Sequence, residues 1–514
     1  MVMLFLSILI PLLIGLALTV LCFPPRRFDA VTGLFHLSMA TGIGLGVVSC
    51  LYFLAMLPSD AGILIGLDSA LAILLIILAV FLYKKKSHPK QGILQPEAST
   101  AHRRQWMIPA LFAGTLISAL VSVIIAFLRD PHGKWDAWVI WNLHARFILR
   151  GGEHWQDYLA SGLDWTHPDY PLLVPLSVVR MWKYAGSETL YGPIFLSILF
   201  MLAVAGLLVF SLSMLRGRSQ GYLAGLVLMG SPYFLDMASF QFADIPLAFF
   251  FLATLIIFLL HDRSSGRQDY PLMLAGLTAA LAAWTKNEGL LFLLLTPLLR
   301  FVLILPGNGW NRTFRQAGWF IAGAMPVFAV IIFFKHWLAA SSDLLAAQSL
   351  SQMIDKLTDL PRYGQIALAY LQTAFTFTQG VVNIRTGFQF NPGVAGVALL
   401  AVYLILLGVR IRTQDRPALR TGFAMVIGML AGYFGVYLIT PHDLRWHLLT
   451  SLNRLFIQLW PTTIFLCFMI TLTPVEAQAH SAIKPEPHRS GSNLSREANR
   501  HIAAKQKHRR GKLS

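Results

Sequence analysis

"MIPALFAGTLISALVSVIIAFL", residues 107–128, lies a few positions before "KWDAWVIWNLHARFILRGG", residues 134–152. The first stretch is apolar over about 20 residues, which is the length that crosses the hydrocarbon core of a bilayer. The second stretch sets charged and amide side chains among three tryptophans. Tryptophan is enriched at the boundary between membrane and water. Together the two stretches predict a membrane span that leads into a structured loop at the membrane surface.

The composition places the whole chain in the membrane class. It has 514 residues, of which 56% are hydrophobic and 13% charged, whereas soluble domains carry about 25% charged residues. Basic residues, which give a net charge of +17, cluster in the tail after Thr473 and in the 84–106 loop. Such clusters beside membrane spans set orientation and contact anionic lipid, so membrane lipid is an expected partner and nucleic acid is not. The three cysteines lie in apolar segments without metal-ligand or disulfide spacing.

Apolar runs recur along the chain and predict an all-α integral membrane protein with about thirteen transmembrane helices. The apolar N-terminus has no basic residue before it, so it is expected to be a retained first span and not a cleaved signal peptide. The predicted spans are 3–23, 31–57, 61–83, 107–128, 191–215, 219–236, 244–261, 270–285, 289–305, 316–338, 391–409, 420–440 and 455–473.

The distribution of basic residues predicts the orientation. With the N-terminus outside and the C-terminus in the cytoplasm, the inside loops hold most of the 41 Lys and Arg residues. The two large outer loops contain pieces that are expected to form amphipathic helices along the membrane surface, namely 138–149, 171–182, 344–357 and 363–377. The predicted divisions are 1–106 (three helices and a basic loop), 107–340 (a core with outer loop 129–190), 341–390 (the second outer loop), 391–475 (C-terminal helices) and 476–514 (a disordered basic tail).

The outer loop 129–190 carries the first candidate site residues. Asp136 opens a helix on which Asn142, Arg146 and Arg150 share one face. Asp136 is interpreted either as a helix N-cap or as a carboxylate at the mouth of a membrane-level cavity, where it acts as a general base. Further along, prolines stiffen "DWTHPDYPLLVP" (164–175) and present His167 and Asp169 as a rigid polar group, unless they only form turns.

Three later stretches add charge at the same predicted face. In "QFADIPLAFFF" (241–251), Asp244 either caps a span or points into a cavity. In "AAWTKNEGLL" (282–291), Lys286 and Glu288 either pair locally or line a cavity, because charges at membrane depth are costly. In "YLITPHDLRWHLLTSLNRLFIQLWP" (437–461), the charged row is either a solvated rim or a site where Arg454 binds an anion such as phosphate.

These motifs, in this order, resemble the polytopic glycosyltransferases of the GT-C type that use polyprenyl-phosphate sugars, including aminoarabinose transferases and protein O-mannosyltransferases. The elements are "WDAW" and "VIWNLHARFILRGG", then "HPDYPLLVPL", "ADIPLAFF" and "WTKNEG". The resemblance covers about 107–305 and is suggested again at 437–461. The chain departs from the pattern at Ala137, where many members have a second acid, and at "HPDYP", where aminoarabinose transferases have Lys-Pro-Pro. It also has three additional N-terminal spans.

The resemblance implies an enzyme at the periplasmic face of a bacterial inner membrane. Asp136 would be the base that activates an acceptor hydroxyl for an inverting displacement on a polyprenyl-phosphate sugar, and the acceptor would be a glycan, a lipid or a protein. Candidate donor-phosphate ligands are Lys286, Arg445, His447 and Arg454, and candidate acceptor or loop contacts are His144, Arg146, His167 and Glu288. No cofactor is required. Some relatives use a divalent cation, for which Asp136, Asp169 and Asp244 are the candidate ligands.

Two other functions are compatible with the sequence. An oligosaccharide ligase or polymerase would use the same kind of donor, although its largest outer loop is expected later in the chain. A transporter or flippase would place charges at mid-membrane depth in several spans, whereas Asp68 is the clear mid-span charge here.

Overall fold

A computed structural model describes residues 2–25, 29–57, 64–85, 106–159, 163–264, 268–341, 348–379, 396–474 and 476–477. The predicted basic loop 84–106, the tail 476–514 and the second outer loop therefore lie wholly or partly outside the described residues. The described chain is helical and contains no β-strand, apart from an isolated bridge between Val409 and Thr471.

Seventeen α-helices form the described structure. They are α1 (Val2–Cys22), α2 (Ala30–Met56), α3 (Leu64–Lys85), α4 (Met107–Arg129), α5 (Asn142–Gly151), α6 (Leu173–Ala185), α7 (Tyr191–Arg216), α8 (Arg218–Met229), α9 (Pro232–Ser239), α10 (Asp244–Arg263), α11 (Leu272–Thr285), α12 (Asn287–Phe333), α13 (Leu350–Thr358), α14 (Leu360–Thr376), α15 (Gly396–Leu407), α16 (Arg416–Ile439) and α17 (Leu444–Ile470).

The helices confirm an all-α protein of membrane-spanning character. In the described ranges, eight helical segments are long and apolar enough to cross a bilayer, and three shorter apolar helices accompany them. The predicted count of thirteen spans stays a prediction. The predicted span 219–236 is divided between α8 and α9, because the chain leaves helical geometry at Gly230 and Ser231 before Pro232 starts the next helix.

The long helix α12 is folded into a hairpin. Gly309 has φ 70° and ψ 169°, which is not helical, and only glycine adopts such angles without strain. Lys335 lies just past the end of α12. It donates a 2.8 Å hydrogen bond to the side chain of Asn287, the first residue of α12. A straight helix would separate these residues by about 70 Å. The reversal at Gly309 therefore returns the chain to the level at which it started.

Helix α10 is the centre of the bundle, and nearly all of its side chains are buried. Glycines on its neighbours allow this close packing. A Cβ at Gly42 of α2 would lie 2.1 Å from the Phe249 ring, and a Cβ at Gly422 of α16 would lie 2.9 Å from Leu255. Small residues let helices approach in this way in membrane proteins.

Helix α6 covers most of the predicted surface segment 171–182, and nearly all of its side chains are buried in the protein. Its placement along the membrane surface stays a prediction. Arg180 of α6 explains this burial. It donates two hydrogen bonds, of 2.8 and 2.7 Å, to Asp68 of α3, and a third of 2.5 Å to the Ser7 carbonyl of α1. The hydroxyl of Tyr184 also donates to Asp68. The mid-span charge of Asp68 is thus neutralised inside the protein.

The ion pairs along α10 fall into two groups, about 30 Å apart at its two ends. Asp244, the first residue of α10, belongs to one group. Arg263, its last residue, donates 2.7 and 2.8 Å hydrogen bonds to Asp415. The pair Arg263–Asp415 belongs to the second group, whose residues lie in or beside the segments predicted to be inside. This group also contains the pairs Arg216–Glu476, Arg300–Asp262 and Arg315–Asp269.

The Arg180–Asp68 pair predicts a specific pattern of stability. Replacing one partner, in Arg180→Met, leaves a buried charge unpaired and is expected to cost about 3–5 kcal/mol. The double variant Asp68→Leu/Arg180→Met removes both charges and should recover much of that loss. Unfolding of the detergent-solubilised protein measures both. The exposed Lys134–Asp130 pair is the control, and Lys134→Gln should cost about 1 kcal/mol or less. Additive losses in the double variant would show that the two charges are not coupled.

Candidate active site

The guanidinium of Arg454 joins two carboxylates that are far apart in the sequence. Its Nη1 lies 2.7 Å from Oδ2 of Asp136, and its Nη2 lies 2.9 Å from Oδ2 of Asp244. Asp136 precedes the π-helical turn Ala137–Trp141, Asp244 begins α10, and Arg454 lies within α17. The structure therefore brings the predicted carboxylate of the outer loop into contact with the predicted arginine of the last span.

Capping does not explain either aspartate. The Asp136 side chain accepts no capping hydrogen bond. The N-cap of α10 is Ala243, and the side chain of Asp244, the next residue, contacts Arg454. Asp443, by contrast, caps α17 by accepting from the Trp446 backbone NH. The side chains of Asp136 and Asp244 thus contact Arg454 and cap no helix.

Lys286 and Glu288 belong to the same cluster. Lys286 Nζ lies 3.1 Å from Oδ1 of Asp244 and 2.8 Å from Oε1 of Glu288. The local Lys–Glu pair that the sequence allowed is present, and Lys286 also reaches across to α10. The Gln458 side chain donates a 2.6 Å hydrogen bond to Asp244 and accepts one from the hydroxyl of Tyr433. We call Asp136, Asp244, Lys286, Glu288 and Arg454 the carboxylate–arginine cluster.

Asp169 lies in an adjoining group. The side chain of Asn287 donates a 2.7 Å hydrogen bond to Asp169 Oδ2, and Lys335 Nζ lies 3.7 Å from the same oxygen. Lys335 also donates to the Asp169 backbone carbonyl. Because Asn287 stands between Lys286 and Glu288, the tripeptide 286–288 links this group to the carboxylate–arginine cluster.

Aromatic side chains form one wall of the site. The Phe242 ring lies 4.8 Å from the Arg454 guanidinium, a distance typical of a cation–π contact. Tyr170 stacks between Trp141 and His167, with ring centroids 5.6 and 4.7 Å apart. Burial, reinforced by the nearby carboxylates of Glu288 and Asp169, raises the pKa of Tyr170 well above its usual value. Tyr170 therefore stays a neutral phenol.

The other predicted residues lie outside the cluster. His144 is fully buried beside Tyr158, and His167 has a φ of 53° in the loop before α6. Arg146 lies over Trp182 and near Glu188. His447 contacts the Thr440 hydroxyl at 2.8 Å through Nδ1. Arg445 is exposed on α17, and among the described residues it has no ion pair.

The three candidate metal ligands do not fit a common ion in this arrangement. The Arg454 guanidinium lies between Asp136 and Asp244, and Asp169 is bound by Asn287 and Lys335. The described part of the chain contains no group of three His, Cys, Asp or Glu residues placed to hold a metal. The divalent cation therefore stays a prediction.

The sequence analysis missed two polar residues of the site. Gln458 lies four residues after Arg454, so the two share a helix face and turn toward the same place. Lys335 is a lysine at the end of an otherwise apolar run, "VIIFFKHW". Each therefore had a local signal, but Asp244 lies 214 positions from Gln458 and Asn287 lies 48 positions from Lys335.

Comparison with known proteins assigns no family, because no family model, no curated protein and no solved structure matches this chain significantly. Its function is therefore argued from the chemistry of the site.

The buried His144 predicts acid sensitivity of the fold. Burial lowers the pKa of His144 to about 3, from a usual value near 6.5, and it outweighs the opposite effect of the Thr166 backbone. Between these pH values the unfolded chain binds a proton that the folded chain does not, so stability falls as pH falls below about 6.5. The loss approaches about 1.4 kcal/mol per pH unit.

The variant His144→Leu removes this titration. Its melting temperature in detergent should therefore fall less between pH 7 and pH 5 than that of the native chain. His154 is exposed, so His154→Leu should leave the native pH dependence in place. An identical pH dependence in His144→Leu and the native chain would contradict the interpretation.

Proposed function

We propose that this protein is a membrane glycosyltransferase that moves a sugar from a polyprenyl-phosphate donor to a hydroxyl group, with inversion at the anomeric carbon. The observation that carries the proposal is the meeting of Asp136 and Asp244 at Arg454, next to Lys286. It puts a candidate base and candidate phosphate ligands in one place. The acceptor is a glycan, a lipid or a protein. The site faces the periplasm of a bacterial inner membrane, with the N-terminus outside and the C-terminus in the cytoplasm.

The arrangement of charges supports a defined order of events. The Arg454 guanidinium occupies Oδ2 of Asp136 at 2.7 Å, so Asp136 reaches the acceptor hydroxyl only when Arg454 turns to another anion. The donor phosphate is that anion, and a guanidinium matches its geometry. Donor binding therefore both places the sugar and frees the base.

The reaction is a single displacement. Asp136 takes the proton of the acceptor hydroxyl, and the acceptor oxygen forms a bond to the anomeric carbon. The bond from that carbon to the phosphate oxygen breaks, and the electron pair leaves with the phosphate. Arg454 and Lys286 stabilise the charge that develops there. Proton transfer by a positioned base contributes typically about 10²–10⁴-fold to such rates.

A groove beside α4 suits the lipid part of the donor. It has a volume of about 840 Å³, opens at the side of the bundle, and runs along α4 from Trp106 to Ser122 against α8 and α9. Its lining is mainly apolar with small residues such as Gly114. The elements that line it also lead to the site, since α4 continues toward Asp136 and α9 toward Asp244. We assign this groove to the polyprenyl chain.

The position of the charges favours catalysis over transport. A transporter needs ionisable groups along a path at mid-membrane depth. Asp68, the mid-span charge of the sequence, is neutralised by Arg180 in a buried pair, whereas the carboxylate–arginine cluster lies at one end of α10.

The variant Asp136→Asn tests the proposed base. Asp136→Asn keeps the shape of the side chain but cannot take a proton, so turnover should fall about 10²–10⁴-fold while donor binding persists. The assay follows sugar release from a panel of polyprenyl-phosphate donors by the lipid-reconstituted protein. Asp130, an exposed residue of the same loop paired with Lys134, supplies the control Asp130→Asn, which should turn over normally. Turnover that survives Asp136→Asn would remove Asp136 as the base.

The variant Gly114→Leu tests the proposed lipid groove. A Cβ at Gly114 would meet no atom within 4 Å, so Gly114→Leu fills the groove without disturbing the packing of α4. KM for the lipid donor should rise about tenfold, and kcat should change little. Gly318 of α12 is equally open, and Gly318→Leu is the matched control with an unchanged KM. An unchanged KM in Gly114→Leu would place the lipid elsewhere.

A further inference from the structure

A second, polar cavity lies beside the carboxylate–arginine cluster. It has a volume of about 300 Å³ and is enclosed by α5, the end of α6 and the segment that precedes α10. We call it the arginine cavity, and its principal lining residues are Asn142, Arg146, Arg150, Trp182, Glu188 and Gln241. Its size is at the lower end of small-molecule sites, which span about 300–1,000 Å³. A single sugar-sized group fits it.

The arginine cavity has two guanidinium groups and one carboxylate. The carboxylate is that of Glu188, and Arg150 donates hydrogen bonds of 2.6 and 2.8 Å to its two oxygens. Arg146 Nε lies 3.7 Å from Glu188. Among the described residues, no group accepts a hydrogen bond from Arg146. The side chain is about a quarter exposed and lines the cavity, so several of its N–H donors are open to a ligand.

The surroundings hold Arg146 in place. Its guanidinium lies 5.8 Å from the centre of the Trp182 ring, and the ring nitrogen of Trp182 donates a 2.7 Å hydrogen bond to the Thr189 carbonyl. The N–H donors of a guanidinium lie along its planar edge. A planar edge of this kind suits two oxygens of a carboxylate or a phosphate.

The floor of the arginine cavity is rigid and polar. The Asn142 side chain donates a 2.8 Å hydrogen bond to Gln241, and Gln241 donates a 3.0 Å hydrogen bond to the Pro131 carbonyl. Gln241 has a φ of 63°, a left-handed conformation that is uncommon for residues other than glycine. Backbone strain of this kind is concentrated at binding and active sites.

The arginine cavity shares its elements with the cluster. Asn142 lies six residues after Asp136, a rise of about 9 Å along a helix, and Gln241 lies three residues before Asp244. The floor of the arginine cavity is therefore about 9 Å along the chain from the proposed base. No residue of the cavity belongs to the carboxylate–arginine cluster.

We propose that the arginine cavity binds the oxyanion, phosphate or carboxylate, of a sugar-sized unit, and that Arg146 is the residue that receives it. That this unit is part of the acceptor rests on the proposed glycosyl transfer, whereas the binding of the anion does not. The acceptor would then carry a negative charge close to the hydroxyl that reacts. Glu188 competes with the ligand for Arg146 and sets the affinity.

The test titrates four probes into the purified protein in detergent by calorimetry: glucose 6-phosphate, glucuronate, glucose and inorganic phosphate. At least one of the two anionic sugars should bind about tenfold or more tightly than glucose, and the preferred one identifies the anion as phosphate or carboxylate. Arg146→Gln should weaken that binding about tenfold or more, because a charge-assisted contact is lost. Glu188→Gln should strengthen it, because the competing carboxylate is removed.

The opposite effects of the two variants separate a binding role from a structural one. A residue that only maintained the fold would weaken binding in both variants, and that outcome would overturn the proposal. Equal binding of glucose and the anionic sugars, binding unchanged in Arg146→Gln, or no binding of either anionic sugar to the native protein would also overturn it. Lys134→Gln, which removes an exposed cation of the same loop, is the control and should bind as the native protein does.

The variant Asp136→Asn distinguishes this proposal from the proposed function. It should bind the anionic sugar normally, because Asp136 does not line the arginine cavity. Binding that depends on Arg146 in a protein whose sugar release survives Asp136→Asn would keep the anion site and remove the transferase mechanism. Sugar release that depends on Asp136, together with an acceptor KM unchanged in Arg146→Gln, would keep the transferase and show that the bound anion is not part of the acceptor.

Discussion

The bridge from Asp136 through Arg454 to Asp244 is the interaction on which the site depends. A buried charge is costly unless it is paired and hydrogen-bonded. Asp244 is fully buried and meets this requirement through Arg454, Lys286 and Gln458. Helix α17 and the start of α12 therefore meet α10 at this carboxylate, and the outer loop joins them through the contact of Asp136 with Arg454.

The bundle holds this meeting point in place. Helix α10 carries Asp244 at its end and is buried along its length. The hairpin in α12 brings Lys335 back to Asn287, so both ends of α12 supply polar groups to the same level. The buried pair of Arg180 and Asp68 anchors α6 among the N-terminal helices. The loop that carries Asp136 is therefore supported by helices on several sides.

The proposed catalytic site and the proposed anion site are built on the same two pieces of chain. One piece runs from Asp136 through Asn142 to Arg146, and the other from Gln241 to Asp244. The hydrogen bond between Asn142 and Gln241 joins the two pieces. The arginine cavity is therefore built on the same two pieces of chain as the carboxylate–arginine cluster. Such an arrangement fits a reaction in which two substrates meet.

The amino-acid sequence by itself determined the class of fold and many of the residues of the site. Long apolar runs predict membrane helices because backbone groups in lipid must be satisfied within a helix, and isolated charges such as Asp244, Lys286 and Arg454 are conspicuous in such runs for the same reason. The sequence alone did not show which charged residues pair with one another. Asp136 and Arg454 are separated by more than 300 positions, and no local rule relates them. Only the tertiary structure decided that α6 is packed inside, that α12 folds back at Gly309, and that Arg445 stays exposed while Lys335 joins the site. The physical reason is that a charge selects its partner by distance in space, and the packing of whole helices sets that distance.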